Sequence, residues 1–86
     1  MVWVVDKRIV RHVLERDGQF VEIPVRVKFE YEQVDGRMID GTLETEKLYN
    51  EPSVLKIFPG LDAHELEREI EATVQRDIRE YIALGR

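Results

Sequence analysis

The fold is decided by residues 17–32, which read DGQFVEIPVRVKFEYE. From Val21 to Glu32, apolar and polar residues alternate strictly, which is typical of a strand with one face buried. Asp17-Gly18 stands just before this run, and Asp-Gly is a preferred pair for a two-residue hairpin turn because both positions need φ > 0. The stretch therefore predicts a β-hairpin in which residue 12 lies opposite residue 23 and residue 11 opposite residue 24.

This register divides the hairpin into two apolar faces. We expect a helix to cover the face formed by Val10, Leu14, Val21, Ile23, Val25, Val27 and Phe29. The opposite face mixes Lys7, Arg11 and Glu15 with five large apolar side chains, which are Trp3, Val5, Ile9, Val13 and Phe20. Because one helix covers only one face of a sheet, this second face is a candidate interface. The alternative is that residues 1–5 bend away and Trp3 joins the main core.

Pro24 lies in the middle of the second predicted strand and has no N–H to donate. Opposite Arg11 it occupies a position where its nitrogen points away from the first strand. We therefore expect the pairing between the second and third strands to be interrupted or to end near Pro24, or residue 24 to lie on an edge of the sheet.

The rest of the first two-thirds of the chain carries weaker strand signals. Asp35-Gly36 and Asp40-Gly41 predict turns, and residues 42–49 predict a third strand. Residues 54–58 form a short apolar run before Pro59-Gly60 and are interpreted as a fourth strand. Residues 1–58 are thus predicted to form a four-stranded, mainly antiparallel meander.

Residues 61–85 predict one long C-terminal amphipathic helix. Asp62 and Glu65 resemble a capping box, Leu61 and Leu66 occupy the positions of a hydrophobic staple, and Gly85 is a candidate stop. Seven apolar residues fall on one side of the helix: Ala63, Leu66, Ile70, Val74, Ile78, Tyr81 and Leu84. The expected fold is α+β, with residues 1–86 as a single domain and the helix packed on one face of the meander.

Composition narrows the classes of function. The chain of 86 residues has a net charge of −5, which argues against nucleic-acid binding because basic surfaces carry that affinity. A basic stripe of Lys7, Arg11, Arg26 and Lys28 keeps a nucleic-acid-associated protein open as a weaker alternative. The absence of cysteine excludes disulfides and thiolate metal sites. The longest apolar run, residues 1–5, is too short to span a membrane, so we expect a cytoplasmic protein.

Motifs for chemistry are incomplete. His64-Glu65-Leu66-Glu67-Arg68 resembles the zinc-protease signature, but Arg68 replaces its second histidine. The glycines do not cluster as they do in a phosphate-binding loop, so we expect neither metal nor cofactor. One polar pair is a candidate, since His12 falls on the inner hairpin face and Asp77 near the edge of the helix stripe. Together they would form an acid–base pair; otherwise each belongs to an edge-of-core contact, with Arg8 competing for Asp77.

Residues 57–61, Ile-Phe-Pro-Gly-Leu, lead into a helix that contains Glu69, Ala72 and Tyr81. This segment resembles the last third of HicB-type antitoxin domains. The resemblance implies a short antiparallel sheet, a Pro-Gly turn, a helix and binding to a partner toxin. That family usually has a further strand between its Pro-Gly and its helix, whereas here the helix cap follows almost at once.

The sequence as a whole favours a non-enzymatic protein-interaction or assembly module. Its partner would be a second copy, giving a homodimer formed through the second sheet face, or another protein. Besides the nucleic-acid-associated protein, two alternatives remain open at this point. One is an antitoxin-like partner-binding protein, and the other is a small ligand-binding or catalytic domain that uses His12 and Asp77.

Overall fold

The computed structural model describes residues 3–32, 37–38 and 42–84, and it has an α+β fold. The elements in chain order are β1 (Trp3–Arg16), β2 (Gln19–Glu32), β3 (Arg37–Met38), β4 (Glu44–Lys47), α1 (Glu51–Ile57) and α2 (Ala63–Leu84). β1 pairs with one edge of β2, and β3 and β4 pair with the other edge. The antiparallel sheet therefore has three strand positions with β2 in the centre, and α2 covers one face.

The β1–β2 hairpin confirms the predicted register. Asp17 and Gly18 have φ values of 53° and 81°, so both turn residues take the left-handed conformation that a two-residue hairpin requires. Pairing runs without a bulge from Arg16↔Gln19 to Trp3↔Glu32. As expected from the turn, residue 12 lies opposite residue 23 and residue 11 opposite residue 24.

Pro24 ends the ladder between β2 and β4, as predicted. The last pair is Val25↔Lys47. Beyond it the Leu48 N–H donates to the Pro24 carbonyl at 3.2 Å, while the proline nitrogen has no hydrogen to give in return. β4 covers residues 44–47, two residues fewer at each end than the predicted third strand, and Pro24 accounts for its end at Lys47. The predicted Asp35-Gly36 and Asp40-Gly41 turns lie outside the described residues.

The prediction of a fourth strand at residues 54–58 is wrong, because residues 54–57 belong to α1 and Phe58 is its C-cap. The Asn50 side chain caps the helix by accepting the Ser53 N–H at 3.0 Å. Pro52 stands in the first turn, where its missing N–H costs no intrahelical bond. Val54 and Phe58 are one helical turn apart, and both are buried. The apolar run therefore supplies two core contacts from a short helix and adds no strand.

α2 begins where the capping signal predicted. The Glu65 N–H donates to Asp62 Oδ1 at 2.8 Å, and Leu61 is buried beside the first turn. The observed stripe has strict four-residue spacing and consists of Leu66, Ile70, Val74, Ile78 and Ile82. The sequence prediction erred at the end of the helix, because Leu84 is 87% exposed and Ile82 takes its place. Gly85 lies outside the described residues.

The core fills the space between α2 and the inner face of the sheet. Within the described ranges every buried side chain is apolar. From the hairpin it contains Val10, Leu14, Ile23, Val25, Val27 and Phe29, while Val21 packs against it partly buried. The helix thus covers the face predicted for it, and no described element covers the other face of the hairpin.

Candidate interaction surface

The uncovered side of the β1–β2 hairpin is here called the outer face. Its large apolar side chains lie on β1 and just after the turn, and they are 43–68% exposed; they are Trp3, Val5, Ile9, Val13 and Phe20. They share this face because side chains alternate along a strand, so the odd-numbered residues of β1 point away from α2. Trp3 pairs with Glu32 and does not join the core, so residues 3–5 do not bend away from the hairpin.

Charges on the outer face follow a pattern along the hairpin. Its middle carries the predicted basic stripe, in which Lys7 lies directly opposite Lys28. Arg26 forms an ion pair with Glu46 of β4 at 3.1 Å. Acidic residues stand at both ends of the face: Glu30 and Glu32 at the open end, and Glu15 and Glu22 near the turn. The face therefore has no uniform sign of charge, which a footprint for nucleic acid would require.

β1 is also a free edge of the sheet, since its only described partner strand is β2. Arg16↔Gln19 flanks a two-residue turn and is therefore a hydrogen-bonded pair. Even-numbered residues of β1 then bond to β2, and odd-numbered ones direct their N–H and C=O groups away from the sheet. The sequence analysis did not identify this edge. When the second strand of a hairpin pairs with a third strand, the outer edge of the first strand is left without a partner.

Two side chains form hydrogen bonds with backbone groups along this edge. The Lys7 N–H donates to Asp6 Oδ1 at 2.8 Å. Toward the other end of β1, Arg16 Nη1 donates to the Glu15 carbonyl at 2.8 Å. Between them, no described group bonds to the outward N–H and C=O of Ile9, Arg11 and Val13. The free edge therefore has an open central segment that ends in a side-chain hydrogen bond on either side.

The structure gives His12 and Asp77 different partners. His12 Nδ1 lies 2.7 Å from Thr73 Oγ1, and its Nε2 lies 3.9 Å from Glu69 Oε1. Burial lowers the pKa of His12, and the Glu69 carboxylate opposes this shift only in part. The same carboxylate accepts a hydrogen bond from Arg16 Nη2 at 2.6 Å. The shift in pKa favours the neutral imidazole, and the ring lies half-buried at the flank of the core.

Asp77 lies beside Arg8, whose Nε is 4.0 Å from Asp77 Oδ2. The Arg8 guanidinium also stacks over the Tyr81 ring at 4.6 Å. The Tyr81 hydroxyl donates to Asp6 Oδ2 at 2.5 Å, and this hydrogen bond raises the pKa of Tyr81. Four side chains thus tie the end of α2 to β1. Their arrangement matches the edge-of-core contact that the sequence left as the alternative to an acid–base pair.

A cleft of about 270 Å³ lies between α2 and β4. Its floor includes Val25 and Val74, and its rim includes Lys47. The Lys47 ammonium donates to Glu51 and to Glu67, each at 2.9 Å, and these hydrogen bonds raise the pKa of Lys47. These three charges, Lys47, Glu51 and Glu67, are therefore paired with one another. They connect β4 to both helices and leave no unpaired charge from this triad to orient a ligand.

Neither a cluster of metal-ligating side chains nor a membrane-spanning helix is found among the described residues. In the ranges whose side chains are described, no three His, Asp or Glu side chains come together as a metal site. His64 is exposed in the first turn of α2. No helix in the described part of the chain is long and apolar enough to cross a membrane.

Comparisons of the chain with protein-family models, with curated proteins and with solved structures find no match. The resemblance to HicB-type antitoxin domains consequently stays an expectation from residues 57–84. The surface described above is the feature from which a function can be argued.

Proposed function

We propose that this chain is a non-enzymatic protein-interaction module of the cytoplasm that self-associates as a homodimer through β1 and the outer face. One observation carries the proposal. Five large apolar side chains stand 43–68% exposed on a face that no described element covers. Apolar surface of this kind on a small protein usually marks an interface. A second copy is the simplest partner because most oligomers are symmetric homo-oligomers.

The free energy available from burying these five side chains is comparable with the cost of association. Full burial of a large apolar side chain is worth about 1.5–3 kcal/mol, and roughly half of each of the five remains to be buried. Together they would contribute about 4–8 kcal/mol in a complete interface. Association itself costs about 4–15 kcal/mol in lost freedom. The apolar term is therefore comparable with the cost, and a stable dimer needs polar contacts in addition.

The acid–base alternative has less support. His12 and Asp77 contact Thr73, Glu69 and Arg8, and each of these contacts fastens α2 to β1. An antitoxin-like role rests on the resemblance of residues 57–84 alone. Self-association is the function that the arrangement of exposed side chains supports best.

Light scattering on the purified protein tests this proposal. We expect the wild type to have the mass of a dimer at micromolar concentration. Ile9→Lys and Val13→Glu should each give a monomer that melts within a few degrees of the wild type, because both side chains are exposed in the single chain. Arg79→Glu changes an exposed position of α2 and is the matched control, which should stay dimeric. A wild-type monomer over the whole concentration range would overturn the proposal.

A further inference from the structure

We infer that two copies pair through the free edge of β1, antiparallel about a two-fold axis at Arg11, so that their sheets become one continuous sheet. The inference rests on the proposed function, because it specifies the geometry of that self-association. The occupant of the edge is β1 of the second copy. Three observations support this geometry: the length of the edge, its open central segment and its charges.

The first observation is the length and regularity of β1. It spans 14 residues, contains no proline and pairs with β2 without a bulge. Strands are usually 3–10 residues long, and proteins normally protect edge strands by shortness, proline, bulges or a covering element. Of the features that protect edge strands, β1 has only charged side chains. An edge of this form is a ready template for another strand.

The second observation is the position of the side-chain hydrogen bonds on the edge. The Asp6 carboxylate accepts the Lys7 N–H, and the Arg16 guanidinium donates to the Glu15 carbonyl. The open groups between them belong to residues 9, 11 and 13, so the open segment is symmetric about Arg11. A two-fold axis at Arg11 pairs residue 9 of each copy with residue 13 of the other. All the open groups are then satisfied, and the two occupied groups come last in the ladder.

The third observation is charge complementarity in this register. Lys7 lies opposite Glu15 of the second copy on the outer face, and Asp6 lies opposite Arg16 of the second copy on the inner face. The two-fold axis repeats each pair, which gives four opposite-charge pairs. Arg11 meets its own copy on the axis as the one like-charged pair, at a cost within the range of about 0.2–1 kcal/mol for such neighbours.

Other registers fit less well. An axis moved toward Trp3 brings Lys7, whose N–H is already occupied, into the interior of the ladder. An axis moved one step toward the turn sets Arg8 opposite Arg16 of the second copy, twice. A further step shortens the paired segment to residues 10–16. Only the axis at Arg11 combines a long ladder with opposite charges at both ends.

The dimer that results joins the two apolar rows of the outer face. Ile9 of one copy comes beside Val13 of the other on the same side of the sheet. The axis is perpendicular to the sheet, so both α2 helices lie on the opposite side. Of the five apolar side chains, Ile9 and Val13 gain contacts across the edge, while Trp3 and Phe20 stay exposed on the enlarged outer face. Backbone hydrogen bonds and ion pairs therefore supply most of the association in this geometry.

A cysteine crosslink tests the geometry, and the natural chain contributes no cysteine to the background. In a hydrogen-bonded antiparallel pair the two Cα atoms are about 5.5 Å apart, which a disulfide spans. Oxidised Arg11→Cys should therefore become a covalent dimer. Arg26→Cys is the matched control, because residue 26 lies on the same face but on β2, at least about 14 Å from its copy across three strand spacings. It should not crosslink.

A second variant tests the same edge without a crosslink, by removing one backbone N–H. Arg11→Pro removes an N–H that points away from β2, as the nitrogen of Pro24 points away from β1. It should keep the fold and lose the dimer. A wild-type dimer in which Arg11→Cys does not crosslink and Arg11→Pro stays dimeric would overturn the edge pairing and leave the proposed function standing. Crosslinking of Arg26→Cys would do the same and would indicate packing of face on face. A wild-type monomer would overturn both.

Discussion

Neighbouring residues of β1 provide the sharpest test of the two faces. Leu14 is 0% exposed beneath α2, whereas Val13 is 53% exposed on the outer face. Replacing Leu14 by Ala leaves a cavity in the core, which costs about 2–5 kcal/mol. The whole chain is expected to have a free energy of unfolding of about 4–13 kcal/mol, from the usual value per residue. Leu14→Ala should thus remove a large part of the stability and lower the Tm by at least about 8 °C.

Val13→Ala removes two methyl groups that are already half in water, so its cost to the single chain should stay under about 1 kcal/mol. Urea unfolding of both variants, followed by circular dichroism at a low and a high protein concentration, measures the difference. In a dimer the unfolding midpoint rises with concentration, and Val13→Ala should weaken this rise. Equal losses for the two variants at low concentration would refute the assignment of the faces.

Two further predictions concern the contacts of α2. Because burial lowers the pKa of His12, the unfolded chain binds a proton more readily, so we expect stability to fall as the pH drops below 6.5. His12→Gln should flatten this part of a series of melting curves between about pH 5 and 7; an unchanged slope would contradict the burial of the ring. Asp62→Ala removes the acceptor of the Glu65 N–H and should cost about 1 kcal/mol, or about 4–8 °C in Tm. Asp62→Asn keeps an acceptor and should restore most of the loss; equal melting of both variants would show that the cap is not formed.

The hairpin was predictable because its determinants are local. Asp17-Gly18 specifies the turn, and the alternation that follows specifies which side chains face the core. The same register places the five exposed residues on one face without reference to any tertiary contact. The ladder end at Pro24 followed as well, since a missing N–H acts only on the strand toward which the nitrogen points.

The errors arose where short segments carry two signals. Residues 54–58 contain Val54 and Ile57, β-branched residues that favour strands, but Asn50 and Pro52 start a helix ahead of them. Val54 and Phe58 have the four-residue spacing of a helix, which a run of five residues shows only once. At the end of α2, whether Ile82 or Leu84 is buried depends on which side of the last turn packs against the sheet.

The contacts at the free edge of β1 could not have been predicted. Asp6 and Arg16 each have other partners on α2, Tyr81 and Glu69, and only the packed structure shows that they also bond to the backbone beside them. Likewise, His12 was placed correctly on the inner face, but its contact with Thr73 depends on where the helix crosses the strand.

The hairpin also has a consequence for how the chain folds. Its first pair, Arg16↔Gln19, joins residues three apart, and its last, Trp3↔Glu32, joins residues 29 apart. Each new pair orders only the two residues next to a pair already formed. Pairing can therefore proceed from the turn toward the open end without the entropic cost of closing a long loop. We therefore expect the rate of folding to depend on Asp17 and Gly18 more than on any buried side chain. The conformation of two residues at the tip would govern how quickly the longest strands of the protein find each other.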